Sequence, residues 1–108
     1  MPLEARDLLE GMPQAFLPEK AGNVKALFQF NLTGEGGGQW VMKIADGRCQ
    51  VQEETTSQPD VTLTMAASDF VALYQNQLNP VQAFMAGKVK VSGNVGLVMQ
   101  LLNWFQRG

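Results

Sequence analysis

Apolar and polar residues alternate with a period of two through several stretches of the chain. In VKALFQFNLT (24–33), Val24, Ala26, Phe28, Phe30 and Leu32 alternate with Lys25, Gln29 and Asn31, which predicts a half-buried strand. QWVMKIAD (39–46) repeats the pattern with Trp40, Met42 and Ile44, and Asp46-Gly47 is a hairpin-turn dipeptide. RCQVQE (48–53) sets Cys49 and Val51 on one face, and DVTLTM (60–65) sets Val61, Leu63 and Met65 opposite Thr62 and Thr64. Four strands joined by short turns predict a mainly antiparallel sheet with one apolar face. KVKVS (88–92) adds a fifth strand with its lysines towards water. GEGGG (34–38) lies between two strands and lacks the Gly-Lys-Ser/Thr ending of a phosphate loop, so it reads as a hairpin turn.

The period changes to helical elsewhere. LEARDLLE (3–10) predicts a short amphipathic helix with Leu3, Leu8 and Leu9 inward, broken by Gly11 and Pro13, with Pro13 opening a second short turn through Phe16. Asp69–Gln75 predicts a helix capped by Ser68, carrying Phe70, Val71, Leu73 and Tyr74, with Asn76 as a left-handed stop. Asn79-Pro80 predicts the start of another, bearing Val81, Phe84 and Met85 and ended by Gly87. Gly93-Asn94 turns the chain into the last helix.

That last helix has two apolar faces: Val95, Val98, Met99, Leu102 and Phe105 make one, Leu97, Leu101 and Trp104 another. A surface helix normally shows a single stripe. A two-layer domain offers a sheet on one side only, so the other face must meet a partner chain or line a space filled by something apolar. Ordinary core with a few exposed apolar residues is the simpler alternative.

Composition narrows the chemistry. The 108 residues, 45% apolar and 17% charged, suit one globular domain spanning 1–108. Eight basic residues face ten acidic ones without a basic run, which gives nucleic acid no footprint. The absence of His removes the commonest general base and metal ligand, and a lone Cys49 excludes an internal disulfide. No catalytic residue, cofactor or metal ligand set is expected. MPLEARDLLEGMPQAF lacks the pattern of a signal peptide, no stretch reaches the length of a membrane span, and the expected location is cytoplasmic.

DVTLTMAASDFVALYQNQLNPVQAFMAGKVKVSGNVGLVMQL resembles the sterol carrier protein 2 family. The pattern is the Asp-Val-Thr-Leu-Thr-Met strand, the Ser-Asp-Phe helix start, the Asn-Pro helix with Ala-Phe-Met, the Lys-Val-Lys-Val strand and the Gly-Asn helix ending Leu-Val-Met-Gln-Leu. Asn76-Gln77 stands where the family often has Gly-Lys, and the family's peroxisomal C-terminal address is absent, which suggests a free-standing member. The resemblance implies an α+β fold: a five-stranded mainly antiparallel sheet covered on one face by about four to five helices, with an apolar tunnel between the layers. It also implies non-covalent binding and transfer of a fatty acid, acyl-CoA, sterol-like molecule or phospholipid without catalysis. Carried over by position, the expected lining is Phe70, Leu73, Phe84, Met85, Val98, Leu101, Leu102 and Phe105, with Trp40 and Met42 from the sheet.

Two functions stay open on this reading. One is a carrier that shields an apolar lipid, with transient contact to membranes or lipid-metabolising enzymes. The other is a protein-interaction module whose apolar last helix dimerises or docks on a partner, a dimer having Trp104 and Phe105 at its seam. Monomer and homodimer are both compatible. An acyl-CoA would need a cationic mouth, for which Lys88, Lys90 and Arg107 are scattered candidates.

Overall fold

The computed structural model of the chain describes residues 4–106, so Leu3 and Arg107 lie outside the described residues. The strands are β1 (Ala26–Thr33), β2 (Gly38–Ala45), β3 (Arg48–Gln52), β4 (Val61–Ala66) and β5 (Val89–Gly93). They form one five-stranded sheet in the order β3-β2-β1-β4-β5. Three neighbouring pairs are antiparallel, and the central pair β1/β4 is parallel. The mainly antiparallel sheet agrees with the alternation, but β3 and β4 are not joined by the short turn expected between neighbours.

Instead, residues 53–60 cross the outer face of the sheet. A parallel connection normally needs a helix to return the chain to its starting level. Here the strands are staggered: Gln52 pairs with Val41, which pairs with Gln29, while Val61 pairs with Phe28. The chain leaves β3 almost level with the start of β4 and has only to travel sideways. Two residues hold this crossing. The Asp60 carboxylate accepts from the Leu27 N–H at 2.8 Å, and the buried Gln29 side chain accepts from the Thr56 N–H at 2.9 Å and donates to the Trp40 carbonyl at 3.3 Å.

The register gathers the apolar residues on the opposite face. Phe30 stands between Trp40 and Leu63, Phe28 between Met42 and Val61, and Val91 and Val89 extend the rows from Leu63 and Met65. A slip of one residue would turn any of these strands inside out. The hairpin signals fit: Asp46 and Gly47 both have positive φ (54° and 72°), the backbone a tight β-hairpin demands. In the β1–β2 turn Gly34 and Gly36 also have positive φ (79° and 77°).

The helices among the described residues are α1 (Ala5–Ala15), α2 (Pro18–Ala21), α3 (Ala67–Tyr74), α4 (Pro80–Met85) and α5 (Val95–Leu101), with a turn of 3₁₀ helix at Leu102–Trp104. α1 continues through Gly11 and Pro13, contrary to the expected break. Burial of Leu9, Met12 and Phe16 along one side outweighs the lost Pro13 hydrogen bond, and the helix ends two residues later. The second turn is set by Pro18 at the first position of α2 rather than by Pro13. α3 starts at Ala67, directly off β4, so Ser68 lies inside it and caps nothing. Asn76 does stop the chain with φ 64°. Asn79 caps α4, its side chain accepting from the Val81 and Gln82 N–H groups at 2.9 and 3.1 Å, and Asn94 caps α5 through the Leu97 N–H at 3.3 Å.

Candidate functional site

The helical layer covers the two halves of the sheet differently. α1 packs on β3 and brings Leu9 and Met12 into full burial. The Arg6 guanidinium lies 5.3 Å from the Trp40 ring centre and pairs with Glu53 at 2.9 Å, which pins α1 over the β2–β3 side. After α5 the chain becomes extended and docks against the end of α1. Leu17 N–H donates to the Trp104 carbonyl at 2.7 Å, Gln106 N–H donates to the Ala15 carbonyl at 2.8 Å, and the Phe16 and Phe105 rings are 5.6 Å apart. Trp104 meets Phe28 edge-on at 6.2 Å. This half is a filled core.

Over β4 and β5 the layers part. A cavity of about 240 Å³ lies there. Its floor is Phe30, Leu63, Met65, Val89 and Val91 from the sheet. Its walls are Phe70, Leu73 and Tyr74 of α3, Pro80, Val81 and Phe84 of α4, and Val95, Val98, Met99, Leu101 and Leu102 at the C-terminal end. No acidic, basic or thiol side chain is among them. Val81, Phe84, Val95 and Met99 are exposed as well as lining, so the cavity opens to solvent between α4 and α5. An enclosed dry void of this volume would cost roughly 6 kcal/mol at about 24 cal/mol per Å³, comparable with a domain's net stability. An opening between two short helices relieves part of that cost by admitting water or a ligand.

Of the residues singled out from sequence, Phe70, Leu73, Phe84, Val98, Leu101 and Leu102 are brought together around this cavity. Trp40, Met42, Met85 and Phe105 are not. Trp40 and Met42 share the apolar face of the sheet but sit on β2, across β1 from the opening, and are buried on the filled side. Met85 is 80% exposed at the end of α4. Phe105 lies beyond the last helical turn, in extended backbone bridged to Phe16, so the helical spacing that grouped it with Val98 no longer applies. Sequence reasoning left the floor residues Phe30, Leu63, Met65, Val89 and Val91 out of the site, although their alternation had already put them on the correct face.

Burial pushes the Cys49 thiol up from 9.0 to about 12, so it is not a reactive thiolate near neutrality. Among the described residues no cluster of His, Cys, Asp and Glu could hold a metal ion, and no helix is long and apolar enough to cross a membrane.

Comparison with known proteins agrees with this architecture. The model of the SCP-2 sterol transfer family matches residues 6–106. Human sterol carrier protein 2 is 39% identical over 83 residues, which cover 74% of this chain and 15% of that protein. Mouse hydroxysteroid dehydrogenase-like protein 2 is 38% identical over 78 residues, covering 71% of this chain and 16% of the relative. The chain thus spans about a sixth of the length of these relatives. Among solved structures, palmitated SCP2L2 from Aedes aegypti superposes with a TM-score of 0.74 at 25% identity, covering 92% of this chain and 88% of that one. The sheet order, the helices on one face, the apolar cavity and a family match over nearly the whole described chain lead to one conclusion: the chain belongs to the SCP-2 sterol transfer family.

Proposed function

We propose that the protein binds one long aliphatic chain, as a fatty acid or fatty acyl thioester, in the cavity between β4–β5 and α3–α5, and carries it between membranes or enzymes. The observation that supports this most is the lining, apolar throughout apart from the Tyr74 hydroxyl and without a charged group. Such a site takes a hydrocarbon tail and leaves the polar head at the opening. Palmitate in the similar Aedes aegypti protein supports the same ligand class.

Size favours a flexible tail over a rigid fused-ring sterol. A space of about 240 Å³ is below the usual range of about 300–1,000 Å³ for drug-sized ligands, and a flexible chain can enter it by degrees. The methylenes of a sixteen-carbon fatty acid gain roughly 11 kcal/mol gross at about 0.8 kcal/mol each. Lost motion removes part of this, leaving micromolar binding, about −8 kcal/mol. No Asp, Glu, Lys, Arg, His or Cys is among the lining residues, and the proposal assigns the cavity binding alone.

The alternative of dimerisation through Trp104 and Phe105 loses its physical basis. Both rings are turned into the chain's own core, 2% and 4% exposed. Native mass spectrometry of the protein with palmitate tests the proposal. One fatty acid bound per chain is expected, and a Leu73→Trp variant should lose it. A protein that takes up no fatty acid, or takes it equally after that change, would remove the assignment.

A further inference from the structure

The cavity has an open end and a closed end. Val81, Phe84, Val95 and Met99 at the rim are 45% to 64% exposed, whereas Phe30, Leu63, Phe70 and Leu101 are buried. The floor gives the direction between the two ends. Val91 of the edge strand β5 pairs with Leu63, and Leu63 pairs with Phe30. The next residue in that row is Trp40, which belongs to the filled half.

A row of aromatic rings closes the inner end. Tyr74, Phe70, Phe30, Phe28 and Trp104 follow one another with centroid separations of 6.4, 5.8, 6.2 and 6.2 Å. Phe30 stands in this row from the sheet and Phe70 from α3, and both line the cavity. Behind them Phe28 and Trp104 are packed core, where voids as large as a water are few. A tail that reaches the Phe30–Phe70 pair can go further only by displacing packed side chains, which is costly.

Two independent measures give the depth in front of that pair. At about 30 Å³ for each water-sized group, the cavity of about 240 Å³ holds about eight methylenes. From β5 to β1 is two strand spacings, about 10 Å at about 4.8 Å each. An extended tail of about eight carbons covers that distance, its bonds of about 1.5 Å running in zigzag.

We infer that the Phe30–Phe70 pair is the end stop that limits how much of an acyl chain the protein encloses, at about eight methylenes. This rests on the cavity being an acyl-chain site. The outer methylenes of a longer tail lie in the opening beside Val81, Phe84, Val95 and Met99, where solvent still reaches them. Palmitate therefore binds, with the full gain per methylene confined to the inner part of its tail.

A chain-length series tests the stop. Saturated fatty acids of every length from about eight to sixteen carbons, each below its micellar concentration, compete with a fluorescent fatty acid. In wild type the affinity should rise about fourfold per methylene up to about ten carbons, the value of full burial, and at most about twofold per methylene beyond. Phe70→Ala should move that break longer by about three carbons, and the milder Phe70→Leu by about one. A loss of stability lowers every affinity in a series by the same factor, so the position of the break reports the cavity alone. Phe70→Leu keeps the test open if Phe70→Ala does not fold. A rise that stays fourfold per methylene through sixteen carbons in wild type overturns the stop and leaves the carrier reading standing. A break at the same length in wild type and in both variants overturns the role of Phe70. Absence of binding at every length removes the acyl-chain site itself, and the stop with it.

Discussion

The Phe30 ring on β1 meets the Phe70 ring on α3 edge to face, with centroids 5.8 Å apart and planes at 73°. This contact joins the sheet to the helical layer at the boundary between the filled and the open half. On one side Phe30 stacks near Phe28, which packs on Trp104. On the other it forms part of the cavity floor beside Leu63. One aromatic pair therefore holds the layers together where the cavity begins.

On the proposed assignment of the acyl chain to the open half, that division separates stability from ligand binding. Phe28 is fully buried in the filled half, so Phe28→Ala should lower unfolding free energy by about 3–5 kcal/mol. The fatty-acid affinity of the molecules that remain folded should change little. Phe84 is half exposed on the rim, so Phe84→Ala should cost less than about 1 kcal/mol of stability yet weaken fatty-acid binding severalfold. Urea unfolding and a fluorescent fatty-acid titration on the same samples measure both effects. Equal loss of affinity in the two variants would show that the halves are not independent.

Leu101 is the buried member of the lining contributed by α5. Leu101→Trp should fill the cavity without disturbing the opposite half and weaken fatty-acid binding by about tenfold or more, a loss of about 1.4 kcal/mol or more. The melting temperature should hold or rise, because the added ring occupies existing space instead of displacing packed neighbours. A large fall in melting temperature would mean that the space is already filled in solution.

Much of this arrangement is legible from the residues themselves. Alternation identifies the apolar face of every strand, and Asp46-Gly47, Asn76, Asn79 and Asn94 mark turns and caps through local backbone chemistry alone. Which half of the face is left open is not local. Trp40 and Met42 show the same period as Leu63 and Met65, and only the placement of α1 on β3 and of Phe105 against Phe16 distinguishes them. Likewise the 3.6-residue period runs through Phe105 in sequence, while the helix stops at Leu101, because the chain beyond it bonds to Ala15 and Leu17. Pro13 gives the opposite lesson. Its local cost is real, and burial of Leu9 and Met12 exceeds it.

The Asn79 cap links local stability to the rim of the cavity. Its side chain satisfies two of the first N–H groups of a six-residue helix that has little else to hold it. Asn79→Ala should cost about 1 kcal/mol. It should also raise amide hydrogen exchange at Val81 and Gln82 above that of β4, and speed release of a fluorescent fatty acid. Unchanged exchange and release would show that α4 does not govern the opening.

Cys49 predicts an alkaline signature. Its folded pKa of about 12 exceeds its ordinary value of 9.0, so folding favours the protonated thiol. That contribution is complete below about pH 9 and is lost as pH rises towards about 12. Native protein at pH 8.5 should resist iodoacetamide, unfolded protein should react at the rate of a free cysteine, and Cys49→Ala should flatten the stability profile above pH 9. Rapid alkylation of the native protein would place the thiol in solvent.

The position of the bound tail tests the central claim most directly. Isotope-filtered nuclear Overhauser spectra of carbon-13-labelled protein with unlabelled palmitate should connect the fatty-acid methylenes to Leu63, Val91, Val98 and Leu101. Contacts confined to α1, β2 or β3, or no intermolecular contacts with palmitate in excess, would contradict an acyl chain held between β4–β5 and α3–α5.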